Sequence, residues 1–299
     1  LRRQRQMCIR DRSALAATDP NRNYRDDNHK PELLVALSDR FESLSGLRPV
    51  EDTLRLLDVL GESTGVAELA SRLDGQGDVL RDTIGWLLSG EAQAVVDDVV
   101  DAVHTAAGSA SGEWAATLRG VAAIAETYRG DPGVVVALLM NHVVLRRGEG
   151  VFLKAGLLHA YISGLGVEIM AASDNVLRGG LTPKRIDVPE LLSILDTTTG
   201  EVPVLRPAAA DAVTVYPVPV ADFSLRRIEL DGASVVIDVD GPTMVLATVG
   251  RVVVSGADGE RREVPVGTVA FATPEEERLT ISGRGEVFVA APGDPAAEG

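Results

Sequence analysis

Two stretches of this chain hold most of the side chains that could do chemistry. The first is Asp26-Asp27-Asn28-His29-Lys30-Pro31-Glu32, which crowds carboxylates, an imidazole and an amine together. It stands just ahead of Leu33–Leu37, an apolar run that reads as a buried strand. Side chains alternate in an extended segment, so Lys30 and Glu32 point one way and His29 the other. The second stretch begins at Gly148 and runs through Lys154, Gly156, His159 and Tyr161. It continues from Gly166 through Glu168, Ser173-Asp174-Asn175 and Arg178-Gly179-Gly180 to Thr182-Pro183-Lys184. A carboxylate and an imidazole suit a metal ion or a proton transfer. Paired glycines let backbone approach a ligand closely, and Arg178 with Lys184 makes a basic site fit for a phosphate.

The elements that must position these groups fall into three textures. From about Asp52 to Tyr128 the pattern is helical. Leu54, Leu57 and Leu60 share a face before Gly61, and Leu80, Ile84, Leu87 and Leu88 precede Gly90. Val95, Val96, Val99 and Val103 form another stripe, as do Trp114, Leu118, Val121, Ala125 and Tyr128. Gly130-Asp131-Pro132-Gly133 closes the block. Val134–Met140, Val143–Leu145 and Val151–Leu153 then read as strands, with a turn at Arg147–Gly150, and residues 188–195 as a short helix. Beyond a Pro-containing linker near Val202–Ala210, short strands are expected at Val213–Val218, Phe223–Leu230, Ser234–Val239, Thr243–Thr248, Arg251–Ser255, Gly267–Ala272, Leu279–Ser282 and Glu286–Ala290. That rhythm is one of a β-sandwich or jelly roll.

Composition narrows the function classes. The 299 residues are 45% hydrophobic and 24% charged, which is globular and not disordered. A net charge of -15 argues against a general nucleic-acid partner, since phosphate repels such a surface. No apolar run is long enough to span a membrane, and a single cysteine, Cys8, excludes an intramolecular disulfide. A cytoplasmic protein is the expectation. Residues 1–12 carry Arg2, Arg3, Arg5, Arg10 and Arg12 against Asp11 alone, and read as a non-native tail joined to a truncated chain.

The spacing from Gly148 to His159 resembles the second metal motif of the cupin barrels, with Lys154 where many cupins place proline. Taken with DDNHKPE, GDPGVVVALLMNHVVL and LHAYISGLGVEIMAASDNVLRGGLTPK, the chain resembles the type I mannose-6-phosphate isomerases over roughly Asp19–Asp187. The resemblance implies a mainly β fold of cupin (jelly-roll) barrels with an inserted α-helical domain. Residues 13–50 plus 131–187 would form the catalytic barrel, 51–130 the helical insertion and 205–299 a C-terminal jelly roll. It implies zinc, with Glu32 and His159 as ligands, and mannose 6-phosphate and fructose 6-phosphate as substrates. The family's upstream Gln-x-His motif, which supplies two more ligands, does not precede Glu32. Arg178 matches the family's active-site arginine. Lys30, Glu168 and His29 are all candidates for proton transfer, and Lys184, Asp174 and Tyr161 for substrate binding.

Two other readings compete with an isomerase. A non-catalytic sugar-binding or regulatory cupin would keep the fold and lose ligands. A cupin oxygenase would want a histidine-rich facial site, and only His159 lies in a cupin-like motif. His104 and His142 sit in no motif and read as structural or exposed. Residues 205–299 hold no histidine or cysteine, so that part is expected to bind no metal, with Asp222, Asp238, Asp240 and Glu275–Glu277 as a solvated face.

Overall fold

A computed structural model describes residues 22–208 and 210–294. The basic run at 1–12 lies outside the described residues. The chain opens with strands β1 (Glu32–Ala36) and β2 (Phe41–Leu47), then enters helices α1 (Val50–Leu60), α2 (Thr64–Leu73), α3 (Val79–Leu88), α4 (Gln93–Ser109), α5 (Ala115–Thr127) and α6 (Gly133–Leu138). Strands β3 (Met140–Leu145), β4 (Gly150–Leu153), β5 (His159–Ser163) and β6 (Gly166–Met170) follow, then helix α7 (Val188–Ile194) and the short strand β7 (Val204–Leu205). The C-terminal part is β8 (Val213–Tyr216), β9 (Ser224–Asp238), β10 (Thr243–Ser255), β11 (Arg261–Val264), β12 (Val269–Ala272) and β13 (Arg278–Ala291). Among the described residues no helix is long and apolar enough to cross a membrane.

The strands make three sheets, ordered β6-β1-β4-β7, β3-β2-β5, and β11-β10-β13-β9-β8 with β12 on β10. All the pairings between these strands are antiparallel. Strand β1 is buried along its whole length, as its unbroken apolar run requires. Leu34 and Ala36 pack with Phe41, Val143, Leu145 and Val151 of the two smaller sheets. Leu33 and Val35 turn the other way, onto Val167, Tyr216, Leu225 and Phe288, which joins the first sheet to the C-terminal one.

The helical block follows its sequence signals closely. Gly61 ends α1 at φ +83°, a conformation that favours glycine. The Ser63 hydroxyl accepts from the Val66 amide, and the Asp78 carboxylate from the Arg81 amide, so α2 and α3 start on side-chain caps. Leu57, Leu69, Ile84, Val99 and Leu118 bury together in one core. Arg48 is buried beside this core. It donates to the Leu138 and Met140 carbonyls at 3.1 and 2.7 Å, with its guanidinium 4.9 Å from the Trp114 ring centre.

Two readings of the sequence are corrected. Val134–Leu138 is helix and not strand, and β3 begins only at Met140. All six residues of α6 are buried, so its valines carry no polar face to mark helical period. The short C-terminal strands fuse pairwise into β9, β10 and β13, with β11 in a stretch where no strand is expected. The glycines read as turns are bends within strands: the register shifts between Ala247 and Val249 and between Ser282 and Arg284. Gly250, at φ +77°, lies so close to the Arg284 carbonyl that a Cβ would collide with it.

Asp222 is exposed, as expected of a solvated face, and is also bonded to His29 at 2.7 Å. The acid that matters most at the sheet junction is Glu286, 3% exposed on β13. Its carboxylate accepts from Arg147 at 2.9 and 3.0 Å, from Arg227 Nε at 2.6 Å and from Thr248 at 2.6 Å. Arg147 belongs to the turn before β4, so this cluster ties the first sheet to the C-terminal one, beside a Tyr216 hydroxyl that donates to the Gly148 carbonyl at 2.8 Å.

Burial alone would raise the Glu286 pKa, but the Thr248 and Arg227 hydrogen bonds and the Arg227 and Arg147 charges hold it below the usual carboxylate range. A carboxyl depressed by folding stabilises the protein above its unfolded pKa, and that contribution is lost as pH falls through the folded one. Glu286→Ala should therefore cost about 3 kcal/mol, at the low end for a broken buried pair because Arg227 keeps Glu229. Glu286→Gln should flatten the acid limb of stability below about pH 4.3. Urea melts across pH 2–7 check both, and an unchanged acid limb in Glu286→Gln would contradict the assignment.

Candidate active site

The site forms where the two small sheets face each other. Glu32 is the first residue of β1, and β6 lies beside it with Glu168 opposite Leu34 and Met170 opposite Glu32. Cross-strand partners share a face, so Glu32 and Glu168 project from the same side of the first sheet. On the second sheet, His159 lies opposite Ser45 and Tyr161 opposite Ser43. These two rings extend toward the carboxylates, while Ala160 and Ile162, which alternate with them along β5, pack on the helical core.

Contacts follow from that placement. His159 Nε2 is 3.3 Å from Glu32 Oε2, and Lys30 Nζ is 3.3 Å from Glu32 Oε1. His159 Nδ1 lies 3.2 Å from the Leu157 carbonyl, which orients the ring and leaves Nε2 facing Glu32. The Tyr161 hydroxyl donates to Glu168, and its ring meets Phe41 edge-on at 5.5 Å.

The charges are interdependent. Burial disfavours the charged form of His159, yet the hydrogen bond and charge of Glu32 outweigh it and raise its pKa. Burial likewise pushes Glu32 up, but His159 and Lys30 together pull it below the usual range. Glu168 is raised by burial and by the neighbouring Glu32 charge, against the opposing Tyr161 hydrogen bond. Burial and the Glu168 carboxylate also raise the Tyr161 phenol, which stays protonated. One carboxylate is thus held as an anion and its neighbour is biased toward the acid.

A cavity of about 800 Å³ opens beside these groups, with Glu168 outside its lining and held to it through Tyr161. Lys30, Glu32, His159, Tyr161 and Arg178 line it, together with Thr127, Tyr128 and Val136 from α5, the turn after it and α6. The helical wall was not legible, because Tyr128 reads simply as the last member of a core stripe. Asn28, Lys154 and Asn175 also line the cavity and were not singled out as site residues.

The dense 173–182 run has a more structural purpose than its composition suggests. Asn175 donates to the Asp26 and Asn28 carbonyls at 3.1 and 2.9 Å, and Ser173 donates to the Asp26 carboxylate at 2.8 Å. The Asp174 amide completes the knot on Asp26 at 2.7 Å. This pins the segment before β1 to the loop after β6. The paired glycines line the cavity and also pack closely on protein: a Cβ on Gly180, at φ +115°, would run into Gly133. Asp131 locks that contact, accepting from the amides of Gly133 at 2.7 Å and Thr182 at 3.2 Å. Arg178 is thereby delivered into the cavity wall.

Three expected site residues lie elsewhere. His29 points away from Lys30 and Glu32, as strand alternation requires, and binds Asp222 of the C-terminal part. Asp174 is exposed and contributes its backbone to the Asp26 knot. Lys184 is exposed beyond Thr182, outside the cavity lining. His142 is structural as expected, with its side chain 5% exposed and bonded to Glu42 at 2.9 Å.

Comparison with known proteins agrees with this geometry. Residues 9–50 match the catalytic domain of type I phosphomannose isomerase. The chain is 31% identical over 269 residues to the mannose-6-phosphate isomerase of Escherichia coli K12, covering 89% of this chain and 67% of that one. It is 34% identical over 272 residues to the enzyme of Salmonella typhimurium, with the same coverage. Among solved structures, a lysine-to-alanine variant of the Salmonella typhimurium phosphomannose isomerase superposes with a TM-score of 0.85 at 30% identity, covering 98% of this chain and 74% of that one. A zinc-bound mannose 6-phosphate isomerase gives 0.84 at 30% identity, with the same coverage. The likeness therefore runs well past Asp187 into the C-terminal sheets. With the carboxylate, imidazole and arginine gathered on one cavity, this chain belongs to the type I mannose-6-phosphate isomerase family.

Proposed function

We propose that the chain acts on mannose 6-phosphate and fructose 6-phosphate as a zinc-dependent aldose–ketose isomerase. The observation that carries this is the convergence of Glu32 and His159, with Glu168 and Tyr161 beside them, at a cavity that Arg178 also lines. In fold terms we read the paired sheets of residues 22–50 and 131–187 as a cupin-type jelly roll, 51–130 as a helical insertion, and the sheet from 205 onward as a second jelly roll.

The donor chemistry fits zinc, which takes imidazole nitrogen and carboxylate oxygen readily. Glu32 and His159 would hold it. Among the described residues no group of three His, Cys, Asp or Glu side chains is arranged to bind a metal, so the remaining positions fall to water, substrate or groups outside those residues. When bound, zinc would orient sugar oxygens and stabilise negative charge.

The rest of the work falls to the protein's own groups. Isomerisation moves a proton between C2 and C1 through an enediol or enediolate. Glu168 and Lys30 flank Glu32 and are the candidates to carry that proton, whereas His29 is turned to Asp222. Tyr161 holds the Glu168 carboxyl with its one O–H and stays protonated, so its oxygen can accept from a sugar hydroxyl. Arg178 does not deprotonate at working pH, and so serves as a fixed positive charge for the phosphate or the enediolate oxygen. The shared wall from α5 and α6 excludes water from one side of the cavity. That only two donors converge among the described residues gives support to one second reading, a module that binds sugar phosphates without turning them over.

A coupled assay of mannose 6-phosphate conversion separates the two readings. Turnover that is lost on chelation and restored by zinc is expected, and sugar-phosphate binding without any turnover at saturating zinc would favour the second. Arg178→Ala should lower turnover by at least ~10²-fold with the circular dichroism spectrum intact, the size of one lost electrostatic contact to developing charge. Tyr161→Phe should leave the protein folded and lower kcat by about tenfold or more, through release of Glu168. Near-normal kcat in that variant would show that the Tyr161–Glu168 contact is packing alone.

A further inference from the structure

A second cleft, of about 370 Å³, lies where the first sheet, the helical block and the C-terminal part meet. It shares only Lys154, Ala155 and Ile194 with the substrate cavity. Three basic side chains from separate parts of the chain line it: His29 before β1, Arg81 in α3 and Lys154 after β4. No carboxylate lines it. Each base is instead braced by an acid outside the lining, His29 Nε2 by Asp222 at 2.7 Å, Arg81 Nε by Asp78 at 2.9 Å, and Lys154 by Asp196.

That bracing fixes the bases without using all their donors. Lysine offers three N–H groups and imidazole has a second ring nitrogen, so Lys154 and His29 keep hydrogen-bonding capacity. Arg81 also covers acceptors that would repel an anion, donating to the Leu192 carbonyl and, at 2.8 Å, to the Leu195 carbonyl. Pro31, Phe152, Pro219 and Val220 fill the wall between the bases and add no charge of their own. In a chain of net charge -15, a cleft lined by bases and apolar groups but no acid is a local exception.

We propose that this cleft is a second anion site that takes the phosphate group of a small metabolite, free or esterified, apart from the substrate cavity. The inference rests on the cleft alone and stands whether or not the chain turns over sugar phosphates. The test is calorimetric titration of the full chain with inorganic phosphate. Arg178→Ala removes a cation from the substrate cavity only, and is expected to leave binding at the cleft in place. Ser193→Glu sets a carboxylate at the cleft from an exposed position on α7, so it should fold normally and weaken that binding by about tenfold or more. Arg81→Gln should do the same where it folds. Glucose 6-phosphate added to the Arg178→Ala protein then tells an ester from the free ion, by displacing bound phosphate at lower or at higher concentration than phosphate itself. Binding abolished by Arg178→Ala and untouched by Ser193→Glu, or no binding at millimolar phosphate, would overturn the proposal.

Discussion

The burial of β1 on both faces is the constraint on which the rest of this structure depends. Five residues, Glu32 to Ala36, lie between two layers of apolar side chains. Leu34 and Ala36 fasten the small sheets to each other, and Leu33 and Val35 fasten them to the C-terminal sheet. Glu32 heads this strand at 7% exposure, so its carboxylate has little freedom to move. A rigid strand is a precise mount for a metal ligand or a catalytic acid. The cost is that an anion sits at the edge of a core, and His159 and Lys30 offset it.

The loops are fixed by polar knots and not by burial. Asp26 gathers Ser173, Asp174 and Asn175, which joins the segment before β1 to the loop after β6. Asp131 gathers Gly133 and Thr182, which joins the helical block to the same loop. Between the two knots stands Arg178. Two short loops that would fluctuate independently are therefore held as one surface, with the arginine facing the cavity. Asparagine and aspartate suit this work because each bonds several backbone groups over a short reach.

The three parts of the chain also meet through charge. Glu286 with Arg147 and Arg227 ties the C-terminal sheet to the first one, and His29 with Asp222 makes a second link on the other side of Pro31. Both pairs join residues far apart in sequence. His29, expected near the chemistry, is bonded here to a C-terminal acid, and the C-terminal part, which holds no histidine, supplies acids to the first sheet and the segment before it.

The sequence by itself determined the family, the helical block and the strand on which Glu32 sits, because those rest on local pattern. Periodicity at Leu54–Tyr128 and the apolar run at Leu33–Leu37 describe faces that must be buried whatever they pack against. Alternation alone separated His29 from Lys30 and Glu32. Tertiary structure decided what local pattern cannot encode. Valines 134–136 became helix because a fully buried segment has no polar face to mark its period. Gly250 and Gly285 bend long strands, since a glycine's role depends on what lies opposite it. Gly179 and Gly180 line the cavity, and Gly180 also lets α6 approach the loop, a packing role that the local pattern did not show. Lys184 and Asp174 lie outside the cavity lining and Tyr128 lies in it, because a cavity is made by residues distant in sequence and its walls carry no motif of their own.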